Sequence, residues 1–288
     1  MGGGRISRGW ALAKTSWAVL RADRSLMLFP LVGILAGLGA GALLLAPGVA
    51  IYARNDSTPV LIAFGVVAAY ALTFVALYFN TALAAAAARS LDGQDTSFAT
   101  GMAAARERTG VIAQWAGVQL TVGLLLSLVQ QLGGEGGAGR LVAVLLSSVL
   151  NLAWQIATFF VIPVIALEGL GPKAAFTRSA HVIRERWGEG IVGSASIGGV
   201  LFLIALLPLA ALVVGGFALA HTAPAAAGAL WAIAVLAFAA AMLLGSTLTA
   251  VFRVALFRYA TEGRAGGGFS EQALAGAFRP KGRRGLAG

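Results

Sequence analysis

Residues 60–88 read VLIAFGVVAAYALTFVALYFNTALAAAAA and contain no charged side chain. A helix rises about 1.5 Å per residue, so this stretch is long enough to cross roughly 30 Å of bilayer hydrocarbon. Its apolar residues do not alternate with polar ones, as the strands of a membrane β-barrel require. Inside a bilayer every backbone polar group must be paired. The stretch therefore predicts a transmembrane α-helix.

Five further apolar runs accompany it, at residues 25–46, 111–132, 141–167, 190–220 and 226–252. The chain is 59% apolar and 11% charged, with a mean hydropathy of +0.86, which lies outside the range of soluble domains. The sequence predicts an all-α polytopic membrane protein with six transmembrane helices. These form a single domain over residues 1–262, followed by a basic tail with a short helix at 263–288.

Basic residues divide unevenly among the segments that separate the runs. Nineteen of the 21 Lys and Arg residues lie in four of the seven segments, and those four would share one side of the membrane. Because cytoplasmic loops retain positive charge, both termini are predicted to be cytoplasmic. The net charge of +10 is spread over these loops, so it predicts attraction to anionic lipid headgroups rather than to nucleic acid.

Two further features of composition bear on the setting. Arg outnumbers Lys 18 to 3, and Ala and Gly abound, which indicates a GC-rich prokaryotic genome and hence the plasma membrane. The chain has no cysteine, which excludes disulfides, thiolate metal sites and cysteine nucleophiles. The basic N-terminal segment precedes an apolar run too long for a signal peptide, so we expect an uncleaved first span.

A repeat relates two basic segments. Residues 98–110 read FATGMAAARERTG and residues 176–188 read FTRSAHVIRERWG, with five identities at a constant offset of 78. Each copy follows the end of one span and leads into the next. We therefore predict three units, at about 1–95, 96–171 and 172–262, each an interfacial helix followed by a helical hairpin.

Apolar stripes mark the predicted interfacial helices. Ile6, Trp10, Ala13 and Trp17 recur at helical spacing, as do Phe176, Ala180, Ile183 and Trp187. Two arrangements account for such stripes: helices lying among the lipid headgroups, or helices packed as a cap on the cytoplasmic ends of the spans. Either way, the predicted interfacial anchors are Trp10, Trp17, Arg106, Arg108, Arg184, Arg186 and Trp187.

Polar residues inside the even-numbered spans form three stripes at spacings typical of one helix face. Two interpretations remain open: a shared polar cavity, or ordinary hydrogen bonding between helices. Arg253, at the end of its stripe, either extends outward to phosphate or turns inward, for example to Asn80. The candidate intramembrane cluster consists of Tyr70, Thr73 and Asn80 in span two, Ser148, Asn151 and Gln155 in span four, and Ser246, Thr249 and Arg253 in span six.

Two prolines lie inside the predicted spans, and motifs typical of enzymes are absent from the sequence. Pro163 and Pro208 each remove a backbone hydrogen bond, which predicts kinks in spans four and five. No HExxH, GxSxG or Walker pattern occurs, and the two histidines, His181 and His221, fall on opposite sides of the predicted membrane. We predict no catalytic residue, no metal site and no cofactor.

Three stretches carry a family resemblance: GWALAKTSWAVLRADRSLMLFPLVG at 9–33, YFNTALAAAAA at 78–88, and FFVIPVIALEGLGPKAAFTRS with HVIRERWG between 159 and 188. Here the chain resembles an uncharacterised prokaryotic family of six-span membrane proteins, described only as a domain of unknown function. That family is similar in pattern to the membrane domain joined to some glycerophosphodiester phosphodiesterases. The resemblance extends over nearly all of residues 5–260 and implies a multi-pass membrane protein, without implying an activity.

Three functional hypotheses follow from the sequence. We expect a non-catalytic membrane scaffold or accessory protein that engages membrane lipids through their anionic headgroups, or another membrane protein. The alternative is a transporter or channel that moves a small molecule or lipid through a polar cavity between spans two, four and six. A membrane-embedded lipid enzyme comes third, because no nucleophile, base or metal site is recognisable.

Overall fold

A computed structural model of the chain describes residues 17, 21, 23–134, 136–187, 196–264 and 266. For residues 186–187 and 196–207 it describes the backbone only. This part of the chain is helical and contains no strand. After a short 3-10 helix at Arg24–Met27 it forms nine α-helices: α1 (Leu28–Asn55), α2 (Thr58–Leu91), α3 (Phe98–Glu107), α4 (Thr109–Gln131), α5 (Gly137–Ala157), α6 (Val161–Glu168), α7 (Pro172–Trp187), α8 (Ser196–Leu219) and α9 (Pro224–Glu262).

Five helical segments of the described chain are long and apolar enough to cross a membrane: Arg24–Asn55, Thr58–Leu91, Thr109–Gln131, Gly137–Glu168 and Pro224–Glu262. They coincide with five of the six predicted runs. The remaining run, 190–220, begins outside the described residues, and α8 is its described part. Helix α9 continues past the predicted end at residue 252, because Val254, Ala255, Leu256 and Phe257 are buried in the protein core.

The core lies at one end of the long helices, which we call the base. The base consists of the C-terminal halves of α2 and α9, the N-terminal half of α4, and the helices α3, α6 and α7. Its centre is the alanine run 82–88 of α2, whose residues are buried. Small side chains let helix backbones approach closely, and this explains why five other helices can pack around α2.

Away from the base the helices form antiparallel pairs, α1 with α2, α4 with α5, and α8 with α9. Helix α2 also packs against α4 and α9, whereas α5 packs mainly against α4 and α7 among the described residues. Large apolar side chains in these outer portions are exposed, for example Leu43 at 75%, Val149 at 64% and Leu236 at 69%. Such a surface is suited to lipid hydrocarbon rather than water.

Prolines act differently in the two predicted kinked spans. Run 141–167 is divided into α5 and α6, with an interruption at 158–160 just before Pro163. By contrast, α8 remains one helix with Pro208 inside it. The kink predicted in span four is therefore a break, whereas the helix at Pro208 continues.

Candidate functional site

Ser179 of α7 is bonded to both sides of the break between α5 and α6. Its side chain is fully buried. Its Oγ accepts a hydrogen bond from the Phe160 N–H at 3.1 Å and donates one to the Ala157 carbonyl oxygen at 2.7 Å. A helix end buried in protein leaves backbone groups without partners unless a side chain supplies them. Ser179 therefore stabilises the interruption and fixes α7 against it.

Gly101 occupies the corresponding place in α3, at the repeat offset of 78. A Cβ atom added there would lie 2.5 Å from Phe29 Cζ and 2.8 Å from the Ala82 carbonyl oxygen of α2. Gly101 and Ser179 are both buried, as are Ala105 and Ile183 at the same offset. In α3 and in α7, a small residue thus packs on the backbone of the long helical segment that precedes the helix.

Three aromatic rings stack across the second helical pair. Trp115 of α4 and Trp154 of α5 have ring centroids 5.9 Å apart, and Trp154 and Phe176 of α7 have centroids 5.5 Å apart. The Trp154 Nε1 donates a hydrogen bond to Gln119 Oε1 at 2.8 Å. The stack joins α4, α5 and α7, and it gives Phe176 of the predicted stripe an aromatic partner inside the protein.

The C-terminal ends of α2 and α9 are held together by Arg258. Its Nη1 and Nη2 donate to the two carboxylate oxygens of Asp92 at 2.6 and 2.8 Å. Nη1 also donates to the Ala88 carbonyl oxygen at 3.1 Å, in the last turn of α2, where this oxygen also accepts a hydrogen bond from the Asp92 N–H. The sequence offered no signal for this pair, because 166 residues separate its members.

Helices α3 and α7, which the sequence predicts to be interfacial, pack against the base in the described part of the chain. The stripe residues Phe176 and Ile183 pack on the core of the base, and Phe98 contacts Phe29 with ring centroids 4.9 Å apart. Outward-facing Arg106 and Arg184 are exposed. Arg108 instead lies against the end of α6, with its Nη1 donating to the Ala104 carbonyl oxygen and to Glu107.

The other predicted anchors are only partly described. Trp17 is 38% exposed, and the Arg21 guanidinium lies 5.9 Å from the centroid of its ring. Trp10 and the short helix predicted in the tail lie outside the described residues, and so do the side chains of Arg186 and Trp187. The predicted placement of these groups stays a prediction.

The hydroxyl groups of the predicted polar cluster bond mostly within their own helices. Thr73, Ser148, Ser246 and Thr249 each donate to a carbonyl three or four residues earlier. Tyr70 is different, because its hydroxyl donates to the Ala113 carbonyl oxygen of α4 at 3.1 Å. These bonds satisfy the hydroxyls without a neighbouring side chain.

The amides and Arg253 do not meet in one cluster. Asn80 donates to the Ala76 carbonyl oxygen of its own helix at 2.8 Å, while Asn151 and Gln155 are exposed on α5. The Arg253 guanidinium turns inward and lies 4.8 Å from the centroid of the Phe159 ring. The suggested Asn80–Arg253 pair is therefore replaced by a cation–π contact between α9 and the α5–α6 break.

The geometry of the described residues defines a class of protein. Among the described residues, no three His, Asp or Glu side chains are grouped so that they could hold a metal ion. The described part of the chain is all-helical and has five helical segments long and apolar enough to cross a membrane. The chain belongs to the family of unknown function DUF6159, whose model matches residues 55–267. No curated protein and no solved structure matches the chain. The likeness to phosphodiesterase-linked membrane domains stays a prediction.

Proposed function

We propose that this protein is a non-catalytic membrane scaffold or accessory protein that engages anionic lipid headgroups. The observation that carries the proposal is the closely packed base. Its alanine-rich centre on α2 is surrounded by α1, α3, α4, α6 and α9. Exposed cations, among them Arg106 and Arg184, lie on its outer surface. A packed base with a basic exterior suits attachment to an anionic membrane surface better than passage of a solute.

The placement in the membrane belongs to the same proposal. The base lies on the cytoplasmic side of a prokaryotic plasma membrane, with both termini in the cytoplasm, as the charge distribution predicts. Six spans form three units of one interfacial helix and one hairpin each. The matching burial of Gly101 with Ser179 and of Ala105 with Ile183 supports this repeat.

The lipid part of the proposal is tested by native mass spectrometry of the full chain extracted with its own lipids. We expect several anionic lipids to remain bound, and fewer on the double variant Arg106→Gln/Arg184→Gln. The matched control is Arg54→Gln/Arg140→Gln, which removes the same charge from the opposite ends of the helices. Equal loss of lipid from both double variants would contradict attachment through the base.

Transport through a polar opening is a second candidate function. It is favoured by the Arg253–Phe159 contact, which brings the polar stripe of α9 to the end of the polar stripe of α5. Proteoliposomes that contain the full chain would then release a trapped small solute, and Asn151→Leu would slow the release. Release at the rate of empty liposomes would rule against transport of that solute.

A further inference from the structure

Two polar stripes begin at the same contact in the base. Phe159 lies in the break just after α5, four residues beyond Gln155, and Arg253 follows Thr249 of α9 by four residues, one helical turn. Because Arg253 lies over Phe159 and both helices run towards the base, the stripes extend from this contact in the same direction. The two polar stripes therefore both begin near this contact and extend away from the base.

In the described part of the chain, α5 and α9 do not pack closely on one another, and we infer an opening between them. Among the described residues, α5 packs chiefly against α4 and α7, and α9 against α2 and α8. Helices α2 and α4 pack on each other and so form the back of the opening. Ser246, Gln155 and Asn151 are exposed, as expected for side chains that line an opening rather than a helix–helix contact.

Arg253 is a cation without an anionic partner in the described part of the chain. Its Nε is buried and makes no hydrogen bond, and no carboxylate lies within 4.0 Å of its guanidinium nitrogens. The nearest basic neighbour along α9, Arg258, is already bonded to Asp92. Since a buried charge is costly unless it is paired, an anion bound to Arg253 would stabilise it.

The stripes change from polar to apolar with distance from Arg253. On α9 the side chains run from Thr249 and Ser246 to Met242 and Val235, the last two 55% and 68% exposed. On α5 the amides and Ser148 are followed by Val144 and Leu141, which are 42% and 61% exposed. A cation at one end and hydrocarbon at the other match the phosphate and acyl chains of a phospholipid.

We propose that the opening between α5 and α9 binds one anionic glycerophospholipid, with its phosphate on Arg253 and its acyl chains along the outer parts of both helices. Arg253 precedes Arg258 by five residues, about 7 Å of helix rise along α9, so the phosphate would bind further from the end of α9 than Arg258. Gln155, one turn from the phosphate, donates to an ester carbonyl. The inference rests on the proposed membrane placement and deepens it by naming the site and the ligand.

The test is a titration of the purified full chain in detergent with dioleoyl phosphatidylglycerol. Dioleoyl phosphatidylcholine, which has the same acyl chains, and inorganic phosphate serve as comparison ligands. Native mass spectrometry counts bound lipid, and thermal unfolding reports stabilisation. We expect one phosphatidylglycerol to bind about tenfold more tightly than phosphatidylcholine, a difference of about 1.4 kcal/mol. Arg253→Gln should lose this preference, Arg253→Lys should keep part of it, and the control Arg140→Gln should keep all of it.

Other outcomes would overturn the inference. If Arg253→Gln still prefers phosphatidylglycerol, the phosphate does not bind to Arg253. Equal stabilisation by inorganic phosphate would assign the site to a free anion. A photoactivatable phosphatidylglycerol with its diazirine in the acyl chain gives a readout on the unmodified protein. Its adducts should map to 141–155 or 235–249, and adducts confined to other helices would also contradict the site. The double variant Arg106→Gln/Arg184→Gln tests the proposed function. Loss of lipid from that variant, with Arg253 unchanged, does not bear on the site between α5 and α9.

Discussion

The guanidinium of Arg258 on α9 holds both carboxylate oxygens of Asp92, the residue that caps the C-terminus of α2. The same side chain donates to the Ala88 carbonyl oxygen, so one arginine supplies an ion pair and a helix cap together. Bidentate pairing fixes the orientation of both groups as well as their distance. Through this contact the first and third helical pairs are joined at the base.

Removal of this contact should destabilise the folded protein. Arg258→Gln removes the guanidinium that pairs with the Asp92 carboxylate and also bonds the Ala88 carbonyl, and hydrogen bonds to charged groups contribute about 1.5–3 kcal/mol. We expect a loss of this order, measured by thermal unfolding of the full chain in detergent. A double-mutant cycle with Asp92→Asn should be non-additive, because both substitutions remove the same pair.

A suitable control is the ion pair between Arg178 and Glu168. It is 3.2 Å long, but both side chains are about one-third exposed, so Arg178→Gln should cost at most about 1 kcal/mol. Equal losses from Arg258→Gln and Arg178→Gln would mean that the contact between α2 and α9 has no special role.

Ser179→Ala tests the junction between α5 and α6. The substitution removes the groups that bond the Phe160 N–H and the Ala157 carbonyl in a buried place, and each backbone group left unpaired costs about 1–3 kcal/mol. Hydrogen exchange at the Phe160 amide should accelerate. Thr177→Ala is the control, because the exposed Thr177 hydroxyl bonds only the Lys173 carbonyl of its own helix. Unchanged exchange and stability in Ser179→Ala would show that the junction is held by other contacts.

Gly101→Ala tests the close approach of α3 to α2. The added methyl group would overlap the Phe29 ring and the Ala82 carbonyl oxygen, and overpacking of this kind costs about 1–3 kcal/mol. Gly110→Ala, in α4, adds the same methyl group where no atom lies within 4 Å, so it should be neutral or stabilising by up to about 1 kcal/mol. Similar unfolding temperatures for the two variants would be inconsistent with the packing at Gly101.

The long helices could be predicted from the sequence because membrane length and apolar composition decide them locally. Run 60–88 lies within α2, and run 111–132 nearly coincides with α4. The break in run 141–167 could be predicted only in part from the sequence. Pro163 indicated a distortion, but its position also depends on Ser179, which reaches it from another helix. Sequence periodicity does not reveal such a tertiary partner.

The polar stripes show a second limit of the sequence. Spacing places Ser148, Asn151 and Gln155 on one face of α5, but it does not tell whether that face meets a helix or an opening. Spacing also does not show whether a hydroxyl donates to its own helix. Ser148 does so, because its hydroxyl donates to the Val144 carbonyl oxygen. The inward turn of Arg253 was one of two predicted orientations, and its partner, Phe159, was not foreseen.

The central claim is that the base lies on the cytoplasmic side of the membrane. The chain has no cysteine, so single substitutions can report on it without interference. Asn55→Cys and His221→Cys mark the ends far from the base, and Gln94→Cys and Lys173→Cys mark the base; all four positions are exposed. In intact cells, a membrane-impermeant maleimide should label the first pair at once and the second pair only after permeabilisation. Labelling of Gln94→Cys and Lys173→Cys in intact cells, with Asn55→Cys and His221→Cys protected, would contradict the account.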